Sequence, residues 1–300
     1  MSFSSDLKQM LCTVTPESDC CLRAQTYGML FFARTFSGTG IALAASDETV
    51  ADLAAENCSR LTGGVGDKRV TARGSCVWTV SRKSEVRKIL SFFGHAPNEV
   101  AFSLNYANLE NDCCIQSFLR GVFLVCGRMT DPNRGYQLEF SVRRVKAASA
   151  LETLLKNAGY PPLTTVRGNS VVLYYKDSET IEELLTAMGA VTGALEVMKT
   201  KVYRDLRNRV NRLTNCEASN IGKTVQASRE QIKAIEIIRK RANGLRSLPE
   251  ELRQVAKLRA ANPDASLSEI GRLCEPPLSR SGVNHRLQKI LAIAEEKEKG

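Results

Sequence analysis

The feature that most constrains the fold is an internal repeat, marked by two pairs of adjacent cysteines, Cys20-Cys21 and Cys113-Cys114. When the chain is aligned with itself at this offset, residues 20–36 pair with residues 113–129, and Gly28 falls on Gly121. Apolar residues recur with helical spacing around each glycine, so each segment is predicted to be a helix. Glycines in register across a repeat further predict that the two helices pack backbone to backbone.

The elements that follow each of these helices are also repeated. In both halves the pattern predicts a strand, a helix, a β-rich run and a second helix, so that the repeats cover about residues 20–94 and 113–190. Strands and helices that alternate in two copies imply a pseudo-twofold α/β domain. We expect this domain to span residues 1–197.

Positive charge is concentrated in the last third of the chain. Residues 199–300 contain 22 Lys/Arg and 12 Asp/Glu, whereas residues 1–198 contain 20 of each. Charge runs are common on solvated surfaces, but this asymmetry is typical of a segment that binds a polyanion. Nucleic acid is therefore the expected partner, ahead of an anionic membrane. The sequence shows neither an apolar run of membrane-spanning length nor a signal-peptide pattern, and we expect a cytoplasmic protein.

The ten cysteines offer little support for a metal site. No C-x-x-C or C-x-x-H spacing occurs, and two adjacent cysteines do not readily chelate one zinc ion together. We expect most of these thiols to act as small buried side chains. Neither a metal nor another cofactor is expected.

A basic helical connector is predicted for residues 198–245. Its apolar residues Val202, Leu206, Val210 and Leu213 form only a narrow stripe with arginines around it. Two interpretations stay open: a linker with a solvated face, or an arm that follows a nucleic-acid backbone with Arg and Lys at phosphates. In the second interpretation, the contacting residues are Arg207, Asn208, Asn211, Arg212, Asn215, Lys223 and Thr224.

Residues 246–300 carry the pattern of a helix-turn-helix domain. A helix is predicted over residues 248–263, and Ser266 with Glu269 forms a capping box at the start of a short second helix. A turn set by prolines then leads to a last helix with Ser279 as its N-cap. The buried face of the short helix is predicted to comprise Leu267, Ile270 and Leu273.

Helical spacing divides the last helix into a core face and a DNA-facing side. The core face is predicted to contain Val283, Leu287, Ile290 and Leu291. Asn284 and Arg280 are the expected base readers, because Asn can pair with adenine and Arg with guanine through two hydrogen bonds. Arg286 and Lys289 suit phosphates, and a purely solvent-facing role stays open for His285. The residues expected at DNA are Ser279, Arg280, Ser281, Asn284, His285, Arg286, Gln288 and Lys289.

The duplicated helix with a central glycine, followed by paired strands, resembles the LAGLIDADG homing-endonuclease fold. In active nucleases of that fold, the resemblance implies an acidic metal ligand five positions after each glycine. Those positions are Ala33 and Cys126 here, and neither residue is an oxygen ligand for a hard divalent cation. Asp131 is interpreted as the first residue of a turn rather than as a displaced ligand. Nuclease activity is not expected, although a metal-dependent homing-type endonuclease is kept as the alternative.

The motifs PPLSRSGVNHRL (276–287) and NRVNRLTN (208–215), placed after that repeat, resemble the bacterial WhiA family of DNA-binding regulators. The resemblance covers nearly the whole chain. It implies an α+β protein, in which a duplicated LAGLIDADG-type α/β saddle domain is followed by an all-α helix-turn-helix domain.

That family resemblance implies a sequence-specific, double-stranded DNA-binding transcriptional regulator without enzymatic activity. The resemblance implies that such a regulator acts in bacterial cell division, chromosome segregation or sporulation. It also implies a location in the cytoplasm, in association with the nucleoid. RNA polymerase or a co-regulator protein is expected as a further partner. A protein-interaction scaffold that acts through the N-terminal domain stays open as another alternative, and the oligomeric state is left open.

Overall fold

The computed structural model describes residues 2–72, 74–99, 101–240 and 243–299. For residues 297–299 it describes the backbone only. Residues 241 and 242 of the predicted connector lie outside the described residues. The chain forms two compact units, residues 1–204 and 205–300. No helix in the described part of the chain is long and apolar enough to cross a membrane.

The first unit contains the same series of elements twice. It begins with helix α1 (Phe3–Cys12), which the sequence patterns did not predict. The first repeat comprises α2 (Asp19–Phe31), β1 (Thr35–Ser37), β2 (Gly40–Ala45), α3 (Glu48–Thr62), β3 (Asp67–Val70), β4 (Cys76–Val80) and α4 (Lys83–Phe92). The second repeat comprises α5 (Asp112–Cys126), β5 (Gly127–Met129), β6 (Leu138–Val142), α6 (Val145–Asn157), β7 (Leu163–Arg167), β8 (Ser170–Tyr175) and α7 (Ser178–Ala187). The predicted duplication is confirmed.

Each repeat forms one four-stranded antiparallel sheet, and the two sheets have the same topology. Their strand orders are β1-β2-β4-β3 and β5-β6-β8-β7. The central pairs are held in register by buried residues, such as Leu43 opposite Trp78 and Phe140 opposite Leu173. Because the order of strands is identical, the two halves are related by the pseudo-twofold arrangement that the repeat predicted.

Helices α2 and α5 pack closely at their glycines, as the repeat predicted. A Cβ atom added to Gly28 would lie 2.5 Å from the carbonyl oxygen of Phe118, and Gly121 packs in the same way against the carbonyl of Gln25. Every residue from Ala24 to Phe31 is buried, so this part of α2 has no solvent-facing side. Only residues without a side chain permit such an approach of two helix backbones.

A buried polar group of the first repeat connects α2 to the segment after α4. The Tyr27 hydroxyl lies 2.9 Å from Nε2 of His95 and accepts a hydrogen bond of 2.8 Å from the backbone N–H of Asn105. On its other side, Nδ1 of His95 lies 3.4 Å from a carboxylate oxygen of Glu99. Burial lowers the pKa of His95, because the charged imidazolium loses more hydration than the neutral ring.

Helix α8 (Val191–Arg239) is continuous, so the predicted boundary between residues 197 and 198 falls inside it. In the first unit, Ala194 and Val197 near its start join the core. In the second unit, the core includes residues near its end, namely Ala234, Ile235 and Ile238. The helices that follow are α9 (Glu250–Ala261), α10 (Leu267–Leu273) and α11 (Arg280–Lys299).

Arg259 on α9 is a buried cation in the second unit, with 2% of its surface exposed. Its Nε donates to Oε1 of Gln231 at 2.9 Å, and its Nη1 donates to the carbonyl oxygen of Ala265 at 2.6 Å. These contacts tie α8 to the connection between α9 and α10. Arg259 therefore supports the fold of the second unit and is not available to a polyanion.

Candidate nucleic-acid interface

The short helix α10 and the turn after it place the start of α11. Ser266 and Glu269 form the predicted capping box, in which each side-chain oxygen accepts a hydrogen bond from the other residue's backbone N–H. A Cβ on Gly271 would collide with the Leu278 carbonyl, so the turn lies close against α10. The backbone N–H of Leu278 donates to the Gly271 carbonyl at 2.9 Å. This turn geometry is that of a helix-turn-helix.

One part of the predicted core face of α10 is wrong. Ile270 is fully buried, but Leu273 is 52% exposed. The buried positions are instead Ile270, Gly271 and Cys274, because the chain turns back over Gly271 and covers that side of the last helical turn. Leu273 is thus an apolar side chain at the surface of the second unit.

Helix α11 presents a polar row to solvent at its N-terminal end. Its core face is confirmed at Val283, Leu287 and Ile290, which are fully buried, while Leu291 is only partly buried. The side chains left exposed are Ser279, Arg280, Ser281, Asn284, His285, Gln288 and Lys289. A helix that buries one side and exposes polar groups near its start has the form of a recognition helix.

Two of the residues predicted to contact DNA also have structural roles. Ser279 Oγ accepts a hydrogen bond of 3.1 Å from the backbone N–H of Gly282, so Ser279 is the N-cap that the sequence predicted. Arg286 is half-buried, donates to the Gly282 carbonyl at 3.3 Å and lies 3.6 Å from a carboxylate oxygen of Glu251. Arg286 is therefore less free than Lys289 to reach a phosphate.

The predicted contact residues of the connector lie on the part of α8 that is most exposed. Arg207, Asn208, Asn211, Arg212, Asn215, Lys223 and Thr224 are all exposed. The apolar stripe between them is exposed as well, with Leu206 at 57% and Val210 at 51%. The Thr224 hydroxyl donates a hydrogen bond of 2.9 Å to the Asn220 carbonyl, so its proton is already bonded within the helix.

In the first unit, a cleft of about 370 Å³ lies at the foot of the two central helices. Ala33 and Cys126 line it, and so do three arginines, Arg34, Arg143 and Arg144. No carboxylate is among its lining residues within the described chain. The guanidinium of Arg144 also stacks on the Phe31 ring at 4.6 Å. The cleft is thus cationic at the two positions where the resemblance implied metal ligands, and the pattern of the repeat did not indicate these arginines.

Cys126 cannot replace a carboxylate in this cleft. Burial raises its pKa to about 12, so its thiol is neutral, and Sγ donates to the Val122 carbonyl at 3.3 Å. The nearby Asp131 opens a turn, as predicted: its Oδ1 accepts from the backbone N–H of Asn133 at 2.9 Å, and its carbonyl accepts from that of Arg134. Ala33 and Cys126 therefore offer a hard divalent cation no side-chain oxygen ligand, and Asp131 is not among the lining residues of the cleft.

The structure departs most from expectation at the adjacent cysteine pairs. The Sγ atoms of Cys20, Cys21, Cys113 and Cys114 all lie within 4.8 Å of one another. The separation of the pairs along the sequence concealed this cluster, because the two cysteine pairs come from the two equivalent helices. Among all ten cysteines, half are buried, so the expected role as small buried side chains describes only part of the set.

Two family models match the chain: the WhiA LAGLIDADG-like domain over residues 115–207 and the WhiA C-terminal HTH domain over residues 210–294. A duplicated LAGLIDADG-like domain followed by a helix-turn-helix domain defines the class of protein. A protein of Caldicellulosiruptor bescii named "Probable cell division protein WhiA" is 35% identical over 100% of this chain and 97% of its own length. The chain belongs to the WhiA family.

Two solved structures are similar in fold to all or part of the chain. Full-length DUF199/WhiA from Thermatoga maritima matches with a TM-score of 0.62 at 24% identity, covering 99% of both chains. The N-terminal LAGLIDADG domain of DUF199/WhiA matches with a TM-score of 0.50 at 20% identity, over 63% of this chain and 90% of that one.

A relative of Clostridium acetobutylicum with the same cell-division name is 40% identical over 74% of this chain and 72% of its own length.

Proposed function

We propose that this protein is a sequence-specific, double-stranded DNA-binding transcriptional regulator that acts in bacterial cell division, without nuclease activity. The observation that carries the proposal is the exposed polar row at the start of α11, held by a buried apolar face. The helix-turn-helix match and the name shared by the relatives support the same function. Chromosome segregation and sporulation are further processes in which such a regulator would act.

Within this row, Asn284 and Arg280 read bases, and Lys289 binds the DNA backbone. A bidentate contact from Asn284 to adenine contributes about 1–3 kcal/mol of discrimination, or roughly 5- to 150-fold in affinity. Lys289 meets a phosphate, which carries no sequence information. Both side chains are exposed on one helix but lie five positions apart, about 140° around its axis, so Asn284→Ala and Lys289→Ala remove different chemistry from different flanks of α11.

A binding competition between cognate and scrambled duplex DNA tests these roles, with sites first found by genome-wide mapping. Asn284→Ala should weaken cognate binding far more than scrambled binding. Lys289→Ala should weaken both alike and reduce the slope of log affinity against log salt by about one. Lys257→Ala is the matched control, because Lys257 is an exposed lysine on α9 and is not part of the row. Equal losses on both DNAs for Asn284→Ala would remove the assigned reader.

The exposed segment of α8 contributes sequence-independent contacts to the DNA backbone. Its arginines and Lys223 carry the positive charge, and the asparagines add neutral hydrogen bonds to phosphates. The double variant Arg207→Ala/Arg212→Ala should lower affinity for all sequences and reduce the salt slope by about two. An unchanged slope would favour a linker with a solvated face. Thr224 contributes least, since its hydroxyl proton is already bonded inside the helix.

The absence of nuclease activity follows from the residues at the foot of the central helices. Ala33 offers no ligand, and the neutral thiol of Cys126 does not suit magnesium. The three arginines of the cleft fit a phosphate group instead. Supercoiled plasmid incubated with protein and magnesium should stay supercoiled, and reproducible nicking that a chelator abolishes would contradict the proposal.

As a transcriptional regulator, the protein would act in the cytoplasm at the nucleoid and would contact RNA polymerase or a co-regulator through its first unit. Photo-crosslinking in cells, with the crosslinker on the exposed edge strand β7, tests whether the first unit contacts such a partner. A crosslink to a transcription protein that remains after deletion of residues 205–300 supports it. Crosslinks that depend wholly on the second unit would assign the contact there instead.

A further inference from the structure

The four clustered cysteines lie at equivalent places in the two repeats. Cys20 and Cys21 are in the first turn of α2, whereas Cys113 and Cys114 are in the first turn of α5, at the same sequence distance before the crossing glycines. Across the two helices, Cys20 interacts with Cys114 and Cys113 interacts with Cys21. Neither pair alone offers four ligands, but the pseudo-twofold arrangement brings both to one point.

The size of the cluster fits a single metal ion. In a tetrahedral zinc site, Zn–S bonds of about 2.3 Å place the sulfur atoms about 3.8 Å apart. All four Sγ atoms are already within 4.8 Å of one another, so a small inward movement of the side chains completes that geometry. An iron–sulfur cluster requires a wider set of thiolates, because two or four irons lie between them. We propose that Cys20, Cys21, Cys113 and Cys114 bind one structural zinc ion.

The surroundings supply the charge balance that such a site needs. Four thiolates and one zinc ion carry a net charge of about −2, and binding releases the four thiol protons to solvent without any change of oxidation state. Arg120 is 7% exposed and its charge interacts with Cys21. Its hydrogen-bond partners are neutral: Nε donates to the Met188 carbonyl at 2.7 Å and Nη1 to Oε1 of Gln25 at 3.1 Å.

Arg120 also forms no ion pair with a carboxylate among the described residues, although Glu17 is near enough to interact electrostatically. A buried cation without a paired anion is costly, and an anionic metal site beside it removes that cost. The cysteines also lie in the first turns of α2 and α5, where the positive end of each helix dipole stabilises thiolates in the same way.

The site is closed but can be reached. Cys21 and Cys114 are buried, whereas Cys20 and Cys113 are partly exposed, so an ion can enter from the surface between the helix starts. The Ser18 hydroxyl lies 3.0 Å from Sγ of Cys20, where it can donate to a thiolate and orient it. With four protein ligands no position stays open for water, so the ion would stabilise the joint between the repeats and not act in catalysis.

The zinc content of the full-length protein tests the proposal. Protein purified under reducing conditions without added chelator should contain about one zinc per chain by elemental mass spectrometry. The double variant Cys113→Ser/Cys114→Ser should lose it, whereas Cys216→Ser, an exposed cysteine on α8, should keep it. Fluorescence of the lone tryptophan, Trp78, checks that the first unit of each variant is folded.

A second measurement on the unaltered chain does not depend on the folding of variants. After removal of the metal under reducing conditions, added Co²⁺ should produce thiolate-to-cobalt charge transfer and the intense visible bands of a tetrahedral thiolate site. Chelation should also lower the unfolding temperature of the first unit. A wild-type protein that binds neither zinc nor cobalt, that contains only iron, or that shows Cys20–Cys114 and Cys21–Cys113 disulfides when freshly isolated would overturn the proposal.

Discussion

The crossing of α2 and α5 predicts a large effect from one methyl group. In Gly28→Ala the new Cβ would lie 2.5 Å from the backbone carbonyl oxygen of Phe118, so the helices must move apart by about 1 Å to reach ordinary van der Waals contact. Overpacking of this kind costs about 3 kcal/mol when backbone must move. The better helix propensity of alanine returns about 1 kcal/mol. We expect a net destabilisation of about 2 kcal/mol.

The assay is thermal unfolding followed by the fluorescence of Trp78, which lies in β4 and reports on the first unit. For a unit of this size, a loss of 2 kcal/mol lowers the midpoint by about 4–8 °C. Gly222→Ala is the matched control, because Gly222 is in a helix and has no atom near its missing Cβ. It should leave the Trp78 transition unchanged. A Gly28→Ala midpoint equal to or above that of the wild type would refute the packing argument.

Three other predictions concern single side chains. Arg259→Met leaves Gln231 and the Ala265 carbonyl without their buried donor, and should destabilise the second unit by about 2–3 kcal/mol, measured by hydrogen exchange of α9 amides. The pKa of His95 is lowered from 6.5 in the folded state. Its contribution to the free energy of unfolding is therefore present above pH 6.5 and is lost as the pH falls through the pKa of the folded state. His95→Gln should therefore show a weaker decline of unfolding temperature with acid than the wild type, and parallel declines would count against this. Ser266→Ala removes the capping box and should cost the second unit about 1 kcal/mol in urea unfolding, whereas no loss would contradict the role of the cap.

Local signals explain which parts of the fold could be predicted from the sequence. The repeat predicted two equivalent helices because glycines stood in register, and the capping box at Ser266 was found because both partners lie within one helical turn. The core face of α11 followed from 3.6-residue spacing, since Val283, Leu287 and Ile290 recur with that period. Such features depend on neighbours in the chain and need no tertiary information.

Features that depend on distant residues could not be predicted in this way. The cysteine cluster exists only because two helices from different halves start side by side, so the search for C-x-x-C spacing could not find it. Leu273 fits the apolar spacing of α10, but the turn at Gly271 covers the opposite side. The arginines of the cleft come from two distant chain segments, Arg34 from one and Arg143 and Arg144 from the other, and only the assembled fold places them together.

The complete burial of α2 has a consequence for how the chain is made. Ala24 to Phe31 are enclosed partly by α5, and α5 is synthesised only after the entire first repeat has been translated. During that interval the nascent first half exposes a continuous apolar helix that its own sheet cannot enclose. Each newly made molecule therefore passes through an intermediate in which this helix is incompletely buried, and folding of the first half can finish only when the second half is present.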